Sequence, residues 1–119
     1  MAATKNLRTI IAAATSNTAA STTTGTAVDL TTKYGGVLTV KITNGGTGPT
    51  VPASGYVYTS GDNTNFKLMT QLAAPSTSGV TTEWLVDIHP GVMYLRVDVK
   101  DNTAQAVTCE AFLQELSSI

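Results

Sequence analysis

The sequence predicts an all-β protein, a jelly-roll-like β-sandwich of about eight strands with an extended N-terminal arm. Three observations carry this prediction. Apolar and polar residues alternate along most of the chain, the period of half-buried strands. Clusters of Gly, Asn, Asp and Pro separate these stretches at short, fairly even intervals, as in sandwiches and barrels. No segment sustains the 3.6-residue period of an amphipathic helix.

Residues 7–13 form the first strand. Lys5 and Arg8 ahead of Ile10, Ile11 and three alanines imitate the start of a secretory signal, but the apolar run is too short and Thr9 interrupts it. From Ala12 to Gly25 the chain is rich in Ala, Ser and Thr and reads as a linker by composition. Residues 1–25 are therefore expected to be an arm plus the first strand, within one domain spanning 1–119. Residues 26–30 make a second strand. Residues 36–43 place Leu38, Val40 and Ile42 on one face and Thr39 and Lys41 on the other. Residues 55–59 and 65–72 are shorter strands.

Residues 80–88 turn Trp84, Val86 and Ile88 inward and Glu83 and Asp87 outward. Residues 92–99 alternate most clearly: Met93, Leu95, Val97 and Val99 face a core, while Tyr94, Arg96 and Asp98 face out. In residues 106–116, Val107, Cys109, Ala111 and Leu113 oppose Thr108, Glu110 and Gln114. A helical turn fits from Glu110 onward, but Val107-Thr108-Cys109 favours strand. Gly35-Gly36, Asn44-Gly45-Gly46, Ser60-Gly61-Asp62-Asn63, residues 75–79, His89-Pro90-Gly91 and Asp101-Asn102 supply the turns, since these residue types suit tight-turn backbone.

Composition narrows the function. Of 119 residues, 42% are hydrophobic and only 13% charged, and the missing charge is replaced mainly by 22 threonines. That excludes a disordered chain, and a single cysteine excludes a disulfide scaffold. No apolar run is long enough to span a bilayer as a helix, so no membrane partner is expected. A net charge of −1 argues against nucleic acid, which calls for a basic surface. The lone cysteine fits a reducing compartment.

No constellation points to catalysis. His89 is the only histidine and lies in a turn, while Cys109 sits on the inward period of a strand. A structural zinc would need four ligands. Asp62 and Asn63 offer oxygens to calcium, but a Gly-Asp-Asn turn is accounted for by its backbone. Gly45-Gly46-Thr47-Gly48 lacks the Lys and Ser/Thr of a phosphate loop. Asp87, Asp98 and Glu110 share the outward period of three successive strands, where a carboxylate pair for glycoside hydrolysis competes with a solvated sheet face, the favoured reading. No catalytic residue, metal or cofactor is therefore expected. Tyr56 and Tyr58 share a strand face and Tyr94 faces out, which suits sugar stacking or a protein interface equally.

Several stretches together resemble a family: Val28-Asp29-Leu30-Thr31-Thr32-Lys33-Tyr34-Gly35-Gly36, Val40 to Gly45, Gly55 to Phe66, Pro90 to Val99 and Ala106 to Leu116. The chain resembles small β-sandwich virion proteins of tailed bacteriophages, the type found as capsid decoration (cement) proteins or as tail and fibre accessories. The hairpin Ser60-Gly61-Asp62-Asn63-Thr64-Asn65-Phe66 is also similar to that of galactose-binding-like jelly rolls. The resemblance implies a non-enzymatic subunit on the outer capsid surface that stabilises the shell, made in the bacterial host cytoplasm. It implies as partners the major capsid protein, in preference to tail proteins, and further copies of the chain, a trimer being favoured. The alternative is a tail or fibre accessory or a carbohydrate-binding host-adhesion module. The expected interaction surface comprises Leu7, Arg8, Ile10 and Ile11 of the arm with Tyr56, Tyr58 and Tyr94. Low charge suits such a role, because unpaired charges are costly to bury at a permanent interface.

Overall fold

A computed structural model describes residues 3–119. The strands are β1 (Thr4–Asn17), β2 (Thr23–Thr24), β3 (Val28–Asp29), β4 (Gly36–Asn44), β5 (Ser54–Ser60), β6 (Lys67–Ala73), β7 (Thr81–Ile88), β8 (Tyr94–Lys100) and β9 (Val107–Ser118). Among the described residues there is no helix long and apolar enough to cross a membrane.

Two antiparallel sheets pack face to face. The first has the order β1-β9-β4-β7; the second has the order β2-β8-β5-β6, with β3 also paired to β8. β2 and β3 pair with the two ends of one edge of β8, at Val99 and Asp98 and at Leu95 and Tyr94. Counted as one interrupted strand, they complete the eight-stranded order of a jelly roll.

Period-two alternation builds the core between the sheets. Leu38, Val40 and Ile42 of β4 meet Val57 of β5 and Leu95, Val97 and Val99 of β8, all at most 1% exposed. Val107, Cys109, Ala111 and Leu113 of β9 are buried with them, and Trp84 and Val86 pack against this core from β7. Met93 departs from the expected inward face. β8 begins only at Tyr94, so Met93 lies in the segment before it and is 44% exposed.

The N-terminal stretch is folded onto the domain itself. β1 runs beside β9 from Thr4 to Asn17, with register shifts at Thr4/Lys5, Thr9/Ile11 and Ile11/Thr15. The shift at Thr9/Ile11 turns both Ile10 and Ile11 into the core, at 3% and 4% exposure. Where composition suggested a linker, two buried amides fasten the chain. Asn17 Nδ2 donates to Asn102 Oδ1 at 2.6 Å, and Asn102 Nδ2 donates to the carbonyls of Asn17 and Gln105. Thr23 Oγ1 donates to Asn17 Oδ1, leading the chain into β2.

Gly25 then crosses between the sheets. Its N–H donates to the Val97 carbonyl of β8, and the N–H of Thr26 donates to the Ile10 carbonyl of β1, each at 2.9 Å. A Cβ at Gly25 would collide with the Val97 oxygen and the Ile10 side chain, so only glycine fits here. This flank of the sandwich is therefore closed by hydrogen bonds. The opposite flank carries the edge strands β6 and β7. β6 is irregular opposite Val57 and Tyr58, whereas β7 pairs with β4 without interruption.

Candidate interaction surfaces

The three tyrosines share the outer face of the second sheet. Antiparallel pairing of β5 with β8 sets Tyr56 opposite Asp98, Tyr58 opposite Arg96 and Ser60 opposite Tyr94. The Tyr56 and Tyr58 rings are nearly parallel, 18° apart in plane with centroids 6.4 Å apart. Cations of the same chain already occupy ring faces. The Arg96 guanidinium lies 5.0 Å from the Tyr58 centroid and 4.6 Å from that of Phe66, and Lys100 Nζ lies 4.6 Å from that of Tyr56.

Arg96 is held in place by Asp98, to which Nε and Nη2 donate at 3.1 and 3.2 Å. Asp98 follows the outward period, yet it is only 7% exposed because Arg96 and the Gly25 N–H close over it. The Tyr56 hydroxyl donates to Asp101 Oδ2, and this bond, with some desolvation, pushes the phenol pKa up to about 12. Phe66 is a member of this cluster that strand periodicity missed. It lies before β6 begins, and only the fold brings it to Arg96 of β8.

At one end of this sheet lies an open groove of about 500 Å³, bordered by Ser60, Asp62, Asn65, Lys67, Val92 and Met93. Asp62 organises its rim. Its carboxylate accepts the N–H groups of Thr64 and Asn65, the Asn65 amide and the Ser60 hydroxyl. Those bonds to the charged form hold its pKa well below the ordinary carboxylate value of 3.8. The Asp-Asn turn thus owes its geometry to its own loop.

The four arm residues expected at an interaction surface separate in the structure. Leu7 faces outward from the first sheet and is 64% exposed. Ile10 and Ile11 are core residues because the bulge buries both. Arg8 pairs across from Leu113, on the inward face, and its Nη1 donates to Glu115 Oε2 at 2.9 Å. Glu115 is 2% exposed and continues the inward period of Val107 to Leu113, a signal present in the sequence but easily passed over for a charged residue.

The acidic trio does not converge. Asp87 and Glu110 belong to the first sheet and Asp98 to the outer face of the second. His89 lies in the β7–β8 turn, where Nδ1 accepts the Gly91 N–H at 2.9 Å. Burial pushes the Cys109 thiol up to about 11, which leaves it an inert, protonated core group at neutral pH. Among the described residues no three His, Cys, Asp or Glu side chains gather as a metal site would require.

Comparison with solved structures finds the same fold at low identity. A chain of the T13 particle of infectious bursal disease virus superposes with a TM-score of 0.68 and 7% identity, over 96% of this chain and 31% of that one. The K3 cleaved adhesin domain of Lys-gingipain from Porphyromonas gingivalis W83 gives 0.54 and 14% identity, over 78% of this chain and 62% of that one. A family 16 carbohydrate-binding module gives 0.51 and 10% identity, over 83% and 74%. The chain thus spans under a third of the viral chain and under two thirds of the adhesin chain. No family model and no curated protein sequence matches it. At such identities the likeness is one of fold.

Proposed function

We propose that this chain is a non-enzymatic structural virion protein, a capsid decoration protein that binds the outer surface of a phage shell and stabilises it. The observation that carries the proposal is the complete jelly-roll order, which superposes on a virus-particle chain over nearly all of its own length. A structural or adhesive role also accords with the adhesin and carbohydrate-binding neighbours. The 13% charge content supports an extensive interface, because it limits the desolvation penalty of contact with a partner. The partner in this reading is the major capsid protein.

The test is co-sedimentation of the purified chain with phage particles lacking their own decoration protein. Saturable binding with a raised particle disruption temperature is expected. Free chain at every ratio, with particles no more heat-resistant than before, overturns the proposal.

The parallel Tyr56 and Tyr58 rings favour one second reading, a host-adhesion module that binds carbohydrate, in a tail or fibre setting. The Lys100 and Arg96 cations weigh against it by covering ring faces that a sugar would stack on. A glycan array showing selective binding that is lost in Tyr58→Ala would replace the decoration role with this one.

A further inference from the structure

The outer face of the first sheet carries Leu7, Val37, Leu85 and Phe112 among polar residues, and no other described strand lies over it. Pairing registers define its rows. One runs Thr9, Phe112, Thr39 and Leu85 across β1, β9, β4 and β7, and the next runs Leu7, Gln114, Val37 and Asp87. Leu7 and Leu85, at opposite margins, are 64% and 71% exposed. Thr39 also points outward, yet it is only 3% exposed, so its neighbours' side chains close over it into a continuous surface. Four strands at about 4.8 Å spacing and nine residues of β4 at about 3.3 Å give a face of roughly 19 by 30 Å. That approaches the footprint of a standard protein interface, about 800 Å² per partner.

The charges on this face are ordered. Lys41 of β4 lies between Glu110 of β9 and Glu83 of β7, and its Nζ is 3.7 Å from Glu110 Oε1. Lys5 lies on the β1 margin, opposite Leu116, while Glu83 and Asp87 lie on the β7 margin.

We propose that this face binds a second copy of the same chain, about a two-fold axis parallel to the strands and centred over the β9–β4 seam. That operation exchanges β9 with the partner's β4 and β1 with the partner's β7 at constant height along the strands. Lys41 then meets Glu110 of the second copy, and Glu110 meets its Lys41. Phe112 meets the second copy's Thr39, and Lys5 lies one row beyond its Asp87. Leu7 then lies opposite the second copy's Asp87 and Thr9 opposite its Leu85, so both exposed leucines are covered. A two-fold interface must be self-complementary, and the exchange of Lys41 with Glu110 across the axis satisfies that condition. The inference departs from the trimer that the resemblance implies, and it can be tested on the chain alone, without particles.

The test uses light scattering and sedimentation equilibrium on the purified chain alone. The native protein is expected to have the mass of two chains. Leu85→Asp is expected to weaken the dimer roughly tenfold or more while leaving the circular dichroism spectrum unchanged, because residue 85 is exposed. Lys41→Glu alone and Glu110→Lys alone set like charges against each other across the axis and should each be monomeric. An equimolar mixture of these two variants should recover dimers, because each then presents the opposite charge to the other. Restoration of the ion pair within one chain could not produce that recovery. A monomeric or trimeric native protein, a dimer indifferent to Leu85→Asp, or a mixture that stays monomeric would each overturn the proposal, whatever the outcome of the capsid assay.

Discussion

Glu115 shows how a single residue can contradict the pattern around it and still fit. It occupies a core position of β9 at 2% exposure, and Arg8 reaches it with one hydrogen bond from the edge strand β1. Arg8→Ala would strand the carboxylate without its cation, and a loss of about 3 kcal/mol in urea unfolding is expected. Replacing both residues by Met should recover most of that loss, because no unpaired charge remains. Tyr56 gives a second residue-scale expectation. Its phenol pKa of about 12 lies above the ordinary 10 because the neutral hydroxyl donates to Asp101. The contribution to stability is therefore complete below pH 10 and disappears as the pH rises through about 12. In Asp101→Asn the Tyr56 ring signals, followed by NMR, should titrate closer to 10 than in the native protein.

At the scale of elements, strand type and order of faces were legible in β4, β7, β8 and β9, where alternation is strict. β1 was legible only as far as Ala13, since the Ala/Ser/Thr run beyond it has no alternation to read. What makes that run structured is the Asn17–Asn102 lock, formed by residues 85 positions apart. No local pattern encodes such a contact. Asn102 is fully buried and satisfies the carbonyls of Asn17 and Gln105 as well as the amide of Asn17. Asn102→Ala should cost roughly 3 kcal/mol or more, since several buried groups lose their partner together. Hydrogen exchange should show the damage confined first to residues 17–25 and the β8–β9 loop. Gly25→Val should prevent the crossing between the sheets altogether, giving insoluble protein or a melt without cooperativity.

For the whole molecule, the fold makes the N-terminal stretch a structural part of the sandwich. Deleting residues 2–17 would remove Ile10, Ile11 and the entire strand paired with β9. The expected result is loss of the folded state by circular dichroism, not a folded domain lacking an arm. Point changes such as Leu7→Asp are the suitable probes of binding by this region, because Leu7 alone of Leu7, Arg8, Ile10 and Ile11 is both apolar and exposed. The closed β1/β2–β3 flank and the open β6/β7 flank also differ in hydrogen-bond supply. Amides of β7 on the side away from β4 should exchange faster than those of β4 and β9, which are paired on both sides.

By itself the sequence determined the class of fold, the strands with strict alternation and most of the core. Those features depend on local chemistry: side chains alternate across a strand, and Gly, Asn and Asp suit turns. It also determined the scarcity of charge from which a large interface was inferred. Only the tertiary structure decided which sheet each strand joined, and so which outward residues became neighbours. It separated Asp98 from Asp87 and Glu110, brought Phe66 to Arg96, and buried Ile10 with Ile11. The physical reason is that sheet neighbours are set by pairing between distant segments and by bulges. Periodicity shows which face a residue takes, but not what lies beside it.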